Sequence, residues 1–292
     1  MHESKHHPIA TIGLISDTHM PARCREFPPA LFDLMAGVDL LLHAGDVGEL
    51  WVLDQLSAIA PVIAVHGNDD TNDAQRELPY QQVITIGGQR ILLWHSHFSD
   101  RVDEMDARRN DEIVPKFERS IARARRTGAN IVVFGHWHVP LVYEDKGVLV
   151  INPGAIASGS PFTHQIHKTA AILRLYADQS PQVVHYDLER IEHGMPTPFP
   201  IEIDWSAGFL TMLGKVSRSI FAPELQAQLP HIGQYITPLA GDAIRAIGLK
   251  LAHRCWAGEI EYVTTEMILD ELKDSEQIDD DMKQRIVSLI HS

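Results

Sequence analysis

Five short stretches hold the residues that could do chemistry: "SDTH" with Asp17 and His19, "HAGD" with Asp46, "HGNDD" with Asn68, "HSH" with His95, and "GHWH" with His136 and His138. Each closes an apolar run. Two histidines one residue apart can simply lie on one exposed side of a strand, since side chains alternate between its faces. Five successive strand ends that each present a carboxylate, a carboxamide or an imidazole say more, because the carboxyl ends of strands in an open α/β sheet border one crevice. The set reads as a metal site. Carboxylate, imidazole and amide oxygen suit Mn²⁺, Fe or Zn²⁺, and the lack of sulfur argues against copper(I) and iron–sulfur clusters. Seven ligands are too many for one tetrahedral ion, so two ions sharing a carboxylate are expected, with Asp46, central in the series, as the bridge.

The elements that must position these groups alternate in the manner of an α/β domain. Residues 11–16, 38–44, 61–67, 89–95 and 131–136 read as buried strands, and "PPALFDLMAG" and "ELWVLDQLSAI" between them have helical spacing. Residues 101–127 read as one charged helix closing at Gly128; its Arg119, Arg123, Arg125 and Arg126 read as a solvated face, with contact to an anionic ligand as the alternative. "LVYED", a turn at Lys146 and Gly147, "VLVIN", "TAAILRLYAD" and "PQVVHYDLE" read as hairpin strands added to a mostly parallel sheet. "HGMPTPFP" (193–200) has three prolines in five residues and reads as a linker. Helical pattern follows in "DWSAGFLTMLGKVSRSIF", "GDAIRAIGLKLAHRCW", "TEMILDELKDSE" and "DDDMKQRIVSLIH". The expected organisation is a domain over 1–192, the linker over 193–200 and a helical region over 201–292.

With 292 residues, 45% of them hydrophobic, the chain can bury one large core with an appendage. Lys and Arg number 25 against 39 Asp and Glu, a formal charge of -14 that would repel a phosphate backbone, so neither extended nucleic acid nor an anionic membrane is an expected partner. Cys24 and Cys255 form no C-x-x-C arrangement, and a reducing, cytoplasmic location fits them. The opening "MHESKHHPIA" lacks an apolar export region, and no apolar span approaches about 20 residues; His2, His6 and His7 read as part of a frayed terminus.

Taken together, D-x-H, G-D, G-N-x-D, H-x-H, G-H-x-H and the following Asn152-Pro153-Gly154 resemble the calcineurin-like metallophosphoesterase superfamily, and within it the small prokaryotic phosphodiesterase branch. The resemblance covers roughly residues 8–190. It implies a four-layer α/β/β/α sandwich, to which the helical C-terminal region, outside the resemblance, is appended. It also implies that Asp17, His19, Asp46 and His138 bind the first metal, and that Asp46, Asn68, His95 and His136 bind the second. Asp46, Asn68 and His95 are the residues expected to be catalytic. On this reading His136 and His138 give one imidazole to each ion, Gly135 permits their tight approach, and each histidine is neutral and held in one tautomer by a carbonyl or carboxylate that sequence alone does not reveal.

Two divalent ions about 3.5 to 4 Å apart can hold a bridging water, lower its pKa from about 15.7 toward about 7 and neutralise charge on a phosphoryl oxygen. The expected reaction is hydrolysis of a small phosphate ester by metal-bound hydroxide, without a phosphoenzyme. The expected ions are Mn²⁺, with Fe, Zn or Ni as alternatives. The chain contains no Walker-type phosphate loop, and no nucleotide cofactor is expected.

Departures from the family pattern sharpen the expectation. Many phosphatases of the superfamily place a histidine after the metal-binding asparagine to protonate the leaving group; here Asp69 stands there, followed by Asp70. Leaving groups of low pKa should then be favoured, and a phosphodiesterase is expected over a monoester phosphatase. His97 and His66 are alternative acids or satisfied loop histidines. His97, Asp69 and Arg23 are candidate substrate contacts, although Arg23, like Arg25, also reads as a surface residue. Ser96, Trp137 and Met20 replace residues common in the family, and Trp137 reads as core packing or as a pocket wall. Beyond residue 201 an apolar helical face with Trp205, Phe209, Leu213, Ile220, Leu249, Trp256, Ile268 and Leu272 must pack on something: a cap over the site, a homo-oligomer interface or a protein partner. The rival to an enzyme is a non-catalytic interaction scaffold on the same fold, as in the eukaryotic retromer subunit that resembles this family.

Overall fold

The computed structural model describes residues 7–201 and 207–290. His2, His6 and Trp205 lie outside the described residues. The chain begins β1 (Ala10–Ile15), α1 (Pro29–Met35), β2 (Leu40–His43), α2 (Trp51–Ser57), β3 (Val62–Ala64), α3 (Asn72–Glu77), β4 (Gln81–Ile86) and β5 (Gln89–Trp94). It continues with α4 (Arg101–Arg109), α5 (Val114–Thr127), β6 (Ile131–Phe134), β7 (Leu141–Asp145), β8 (Val148–Asn152), β9 (Thr163–Gln165), β10 (Thr169–Leu175), β11 (Gln182–Glu192) and β12 (Met195–Pro198). Then come α6 (Phe209–Gly214), β13 (Ser217–Ser219), α7 (Pro223–Trp256), α8 (Thr265–Asp274) and α9 (Asp280–Ile290).

Two sheets carry the site. One has the order β12-β11-β10-β1-β2-β3, the other β4-β5-β6-β8-β7. Each is mixed rather than mostly parallel: β1, β2 and β3 run parallel in the first and β5, β6 and β8 in the second, with antiparallel strands added at the flanks. The five chemistry-bearing strand ends therefore come from two sheets, not from one.

The strands read as unbroken apolar runs because both faces are covered. Ile12, Leu14, Leu40 and Leu42 of the first sheet meet Ile91, Leu93, Ile131 and Val133 of the second in one cluster. The alternate residues point the other way. Leu41 and Ile172 pack on Leu31 and Met35 of α1 and Val52 and Leu56 of α2; Leu92, Trp94, Val132 and Phe134 pack on Phe117 and Ile121 of α5. The layers are helix, sheet, sheet, helix, as expected.

Three expectations need correction. Residues 101–127 are two helices: α4 ends before Asn110, and Pro115 opens the first turn of α5, where a missing N–H costs nothing. Residues 193–200 are not a linker; they contain β12, paired with β11 through Tyr186–Pro198 and Glu192–Met195. β12 is the edge strand of its sheet, the position where proline is tolerated. Of the stretch read as helical over 204–221, residues 204–206 lie outside the described residues, and the described part holds the short helix α6 followed by β13. Its Phe209, Met212 and Leu213 join the α5 cluster rather than the C-terminal helices.

The chain divides into two compact units, one up to Gly159 and again over Gln165–Ser217, the other comprising Ser160–His164 and the chain from Arg218. The second has a core of its own, with Ile220, Leu251 and Cys255 buried against Leu272 of α8 and Ile286 of α9. In it Trp256 Nε1 donates to Thr163 O at 2.8 Å. Among the described residues no helix is long and apolar enough to cross a membrane.

Candidate metal centre

The site lies where β1, β2 and β3 of one sheet and β5 and β6 of the other end. The backbone there is unusual. Asp17, His19, Asp46, Ser96, His136 and His138 all have positive φ, between 45° and 78°. Non-glycine residues hold that conformation only when their surroundings fix it, and such strain gathers at functional sites. Space is equally constrained: a Cβ at Gly135 would overlap the Ser16 hydroxyl and stand 2.6 Å from Ala44 O and 2.9 Å from Asp17 Oδ2.

Six of the seven expected ligands fall into two groups, Asp17, His19 and His138 in one and Asp46, His95 and His136 in the other, each with ligand atoms within 4.8 Å of one another. His138 Nδ1 donates to Ala157 O at 3.0 Å, which turns its Nε2 toward Asp17 Oδ1, 3.1 Å away. His95 Nδ1 donates to Ala44 O at 2.7 Å, and its Nε2 stands 3.1 Å from Asp46 Oδ2 without a hydrogen bond. His136 Nε2 donates to Glu104 Oε1 at 2.7 Å. Asp46 Oδ2 is also 3.6 Å from His19 Nε2, so one carboxylate approaches an imidazole of each group.

Asn68, the seventh, holds Asp69 Oδ1 with its Nδ2 at 2.7 Å, while its buried Oδ1 has no hydrogen-bond partner. With Nδ1 donating to a main-chain carbonyl, a neutral His95 or His138 would aim its Nε2 lone pair at a carboxylate oxygen. Such an arrangement requires positive charge between the partners.

The electrostatics agree. Burial pushes the Asp17 carboxyl up, but His138 and His95 outweigh it and hold the group well below the usual range. Burial likewise opposes ionisation of Asp46, and His95 and His19 hold it down. His95 is raised to about 10: burial lowers it, and Asp46 and Asp17 more than reverse that. A proton on His95 satisfies there what a cation would satisfy better. Buried carboxylates, inward lone pairs and an orphaned amide oxygen all fit divalent cations.

Around these groups the chain adds support that the sequence did not expose. Asp70 Oδ1 and Oδ2 accept from Gly48 N and Gly67 N, both at 2.6 Å, tying the turn after β2 to the turn after β3. Burial and then Asp46 raise its pKa to about 6. Asp46 Oδ1 accepts from Asp69 N at 2.8 Å. Asn152, in the Asn-Pro-Gly turn, is not among the candidate ligands; its Nδ2 donates to Gly135 O at 3.0 Å and steadies the strand end before His136. Glu104 is the largest omission, since a glutamate on a charged helix carries no signal in sequence.

The remaining candidates divide. Arg23 is at the site rather than on the open surface: its Nη2 pairs with Asp69 Oδ2 at 2.7 Å, and its Nη1 lies 3.1 and 3.3 Å from the two ring nitrogens of His19 and 3.1 Å from Gly159 O. Arg25 is exposed. His97 is buried behind the site, its ring 5.5 Å from that of His95. Burial first, then His95 and His136, pushes it down to about 3. Trp137 is core, with ring centroids 4.7 Å from Phe134 and 5.3 Å from Phe117. Arg119 is not a solvated residue: it stacks over Phe98 at 3.5 Å and donates to Ser96 O and His97 O, bracing the "HSH" turn.

A model of the calcineurin-like phosphoesterase superfamily domain matches residues 11–178. A probable metallophosphoesterase of Methanocaldococcus jannaschii is 33% identical over 146 residues, 49% of this chain and 67% of that protein. A phosphodiesterase of the same archaeon is 29% identical over 148 residues, 49% of this chain and 82% of that protein. Among solved structures, Vacuolar Protein Sorting 29 from Cryptosporidium parvum has a TM-score of 0.52 at 22% identity, over 65% of this chain and 95% of that one. This last likeness is one of fold.

Proposed function

The chain belongs to the calcineurin-like phosphoesterase superfamily, and on that premise we propose that it is a phosphodiesterase that hydrolyses a small phosphate diester with two divalent cations. Asp17, His19, Asp46 and His138 would hold the first cation and Asp46, Asn68, His95 and His136 the second, with Mn²⁺ the proposed metal and Fe, Zn or Ni the alternatives. The observation that carries this reading is the pair of ligand groups approached by one carboxylate, Asp46. Bound there, two divalent cations would lower the pKa of a shared water toward about 7 and neutralise charge on a phosphoryl oxygen.

The protein's own groups orient and select. Ala44 O and Ala157 O fix which nitrogen His95 and His138 present. Arg23 would release the His19 ring when that histidine takes a cation, while Asp69 and the Gly159 carbonyl keep its guanidinium at the site to meet a phosphoryl oxygen. His97, neutral at pH 7, is a poor proton donor to a leaving group, and Asp69 stands where an imidazole would serve. Leaving groups that depart without a proton are therefore favoured, which supports a diester with an acidic alcohol. M. jannaschii proteins named metallophosphoesterase and phosphodiesterase support the same class. The free thiols of Cys24 and Cys255 accord with a reducing compartment such as the cytoplasm.

The test is hydrolysis of bis(p-nitrophenyl) phosphate and p-nitrophenyl phosphate by the full chain with added Mn²⁺. The diester should turn over faster, and Asp46→Ala should lower the rate by more than the ~100-fold that loss of an outer-shell partner costs. No turnover by the native chain, with Mn²⁺ binding unaffected by Asp46→Ala, would favour the interaction scaffold instead.

A further inference from the structure

Helix α4 has no buried residue, and Val102 and Met105 on it are 67% and 43% exposed. Apolar packing does not hold it in place. Polar contacts do: Lys116 Nζ donates to Ala107 O at 2.5 Å, and Glu104 reaches inward. Glu104 Oε1 accepts from His136 Nε2 at 2.7 Å and from Arg108 Nε at 2.6 Å, while Oε2 accepts from Phe98 N at 2.9 Å. Phe98 N and Arg108 aim the carboxylate before it meets the imidazole.

A neutral imidazole carries one proton. With that proton on Nε2 and given to Glu104, the lone pair of His136 is on Nδ1, the one ring nitrogen left to join Asp46 and His95. His95 and His138 use Nδ1 for main-chain carbonyls and present Nε2. His136 is the reverse case, and its acceptor is a side chain on a surface helix.

We propose that Glu104 is a positioning residue for the second cation: it fixes the Nε2–H tautomer of His136 and thereby links occupancy of that cation site to the docking of α4. The inference rests on His136 being a cation ligand, as proposed above. A carboxylate behind a ligating histidine raises its basicity, and losing such a partner costs about 10- to 100-fold in metal affinity. Linkage makes the effect reciprocal, so whatever factor Glu104 adds to cation binding, the cation returns to the docked state of α4.

The test is calorimetric titration of the metal-free full chain with Mn²⁺, alongside amide hydrogen exchange over residues 101–109. The native chain should bind two ions, and exchange in α4 should slow on binding. Glu104→Ala should weaken one site by about 10- to 100-fold, leave the other unchanged and abolish the slowing in α4. Glu104→Gln, which can still accept from Nε2–H, should recover part of the affinity. Native-like binding of both ions by Glu104→Ala would overturn the proposal, and so would equal weakening of both sites, the mark of a general packing defect. If the native chain binds no Mn²⁺, the cation sites themselves are misassigned and this inference falls with them.

Discussion

Asp46 is reached from both sides, by His95 Nε2 at 3.1 Å and His19 Nε2 at 3.6 Å, and the turns carrying these groups leave no slack. Gly135 shows the tolerance. Because a Cβ there would overlap the Ser16 hydroxyl and crowd Asp17, Gly135→Ala should lower stability by about 1–3 kcal/mol in urea denaturation and weaken Mn²⁺ binding together. His185 provides a separate titration away from the proposed ligands. It is buried, donates from Nε2 to Asn152 O at 2.8 Å, and burial lowers its pKa to about 4. The unfolded chain takes up that proton near 6.5, so between those pH values the unfolded state binds more protons and stability falls as pH falls, by up to about 3 kcal/mol. His185→Gln removes the titration while keeping a donor for Asn152 O. Its stability should change less between pH 6.5 and 4, and an unchanged acid limb would rule the assignment out. At this scale the strand-end groups were legible because their residue types are chemically distinctive. Their acceptors were not: Ala44 O and Ala157 O are main-chain atoms that any residue supplies.

Elements were readable where burial of both faces left an unbroken apolar run, as in β1, β2, β5 and β6. β12 was hidden because three prolines over 196–200 mimic a linker, and only its place at the sheet edge makes Pro196 and Pro198 compatible with a strand. α6 was visible as a helix but its allegiance was not; Phe209 lies 5.5 Å from Trp137, which ties this short helix to the α5 side of the sandwich. Trp137→Ala should therefore act on stability, by about 3–5 kcal/mol, rather than on KM for a phosphodiester. Parallel measurement of the urea midpoint and of KM checks this, and a raised KM at native stability would return Trp137 to the substrate pocket.

For the whole molecule, division after Ser217 rather than near residue 192 has a direct consequence. A chain ending at Glu192 loses β12 and α6, and with them Phe209 and Met212 from the α5 cluster; a chain ending at Ser217 keeps both. The longer of the two should show the higher urea midpoint, and equal midpoints would mean that these elements add nothing to the sandwich. The sandwich itself contributes the proposed ligands unequally: Asp17, His19, Asp46 and Asn68 follow strands of one sheet, and His95, His136 and His138 follow strands of the other. A cation gripped by both would act as a rivet. Denatured polymer offers no such grip, so Mn²⁺ at a hundred times its dissociation constant should deepen the native well by about 2.7 kcal/mol per independent ion and raise the melting temperature. Chelation would then loosen the seam between the two leaves before it disturbs either leaf alone.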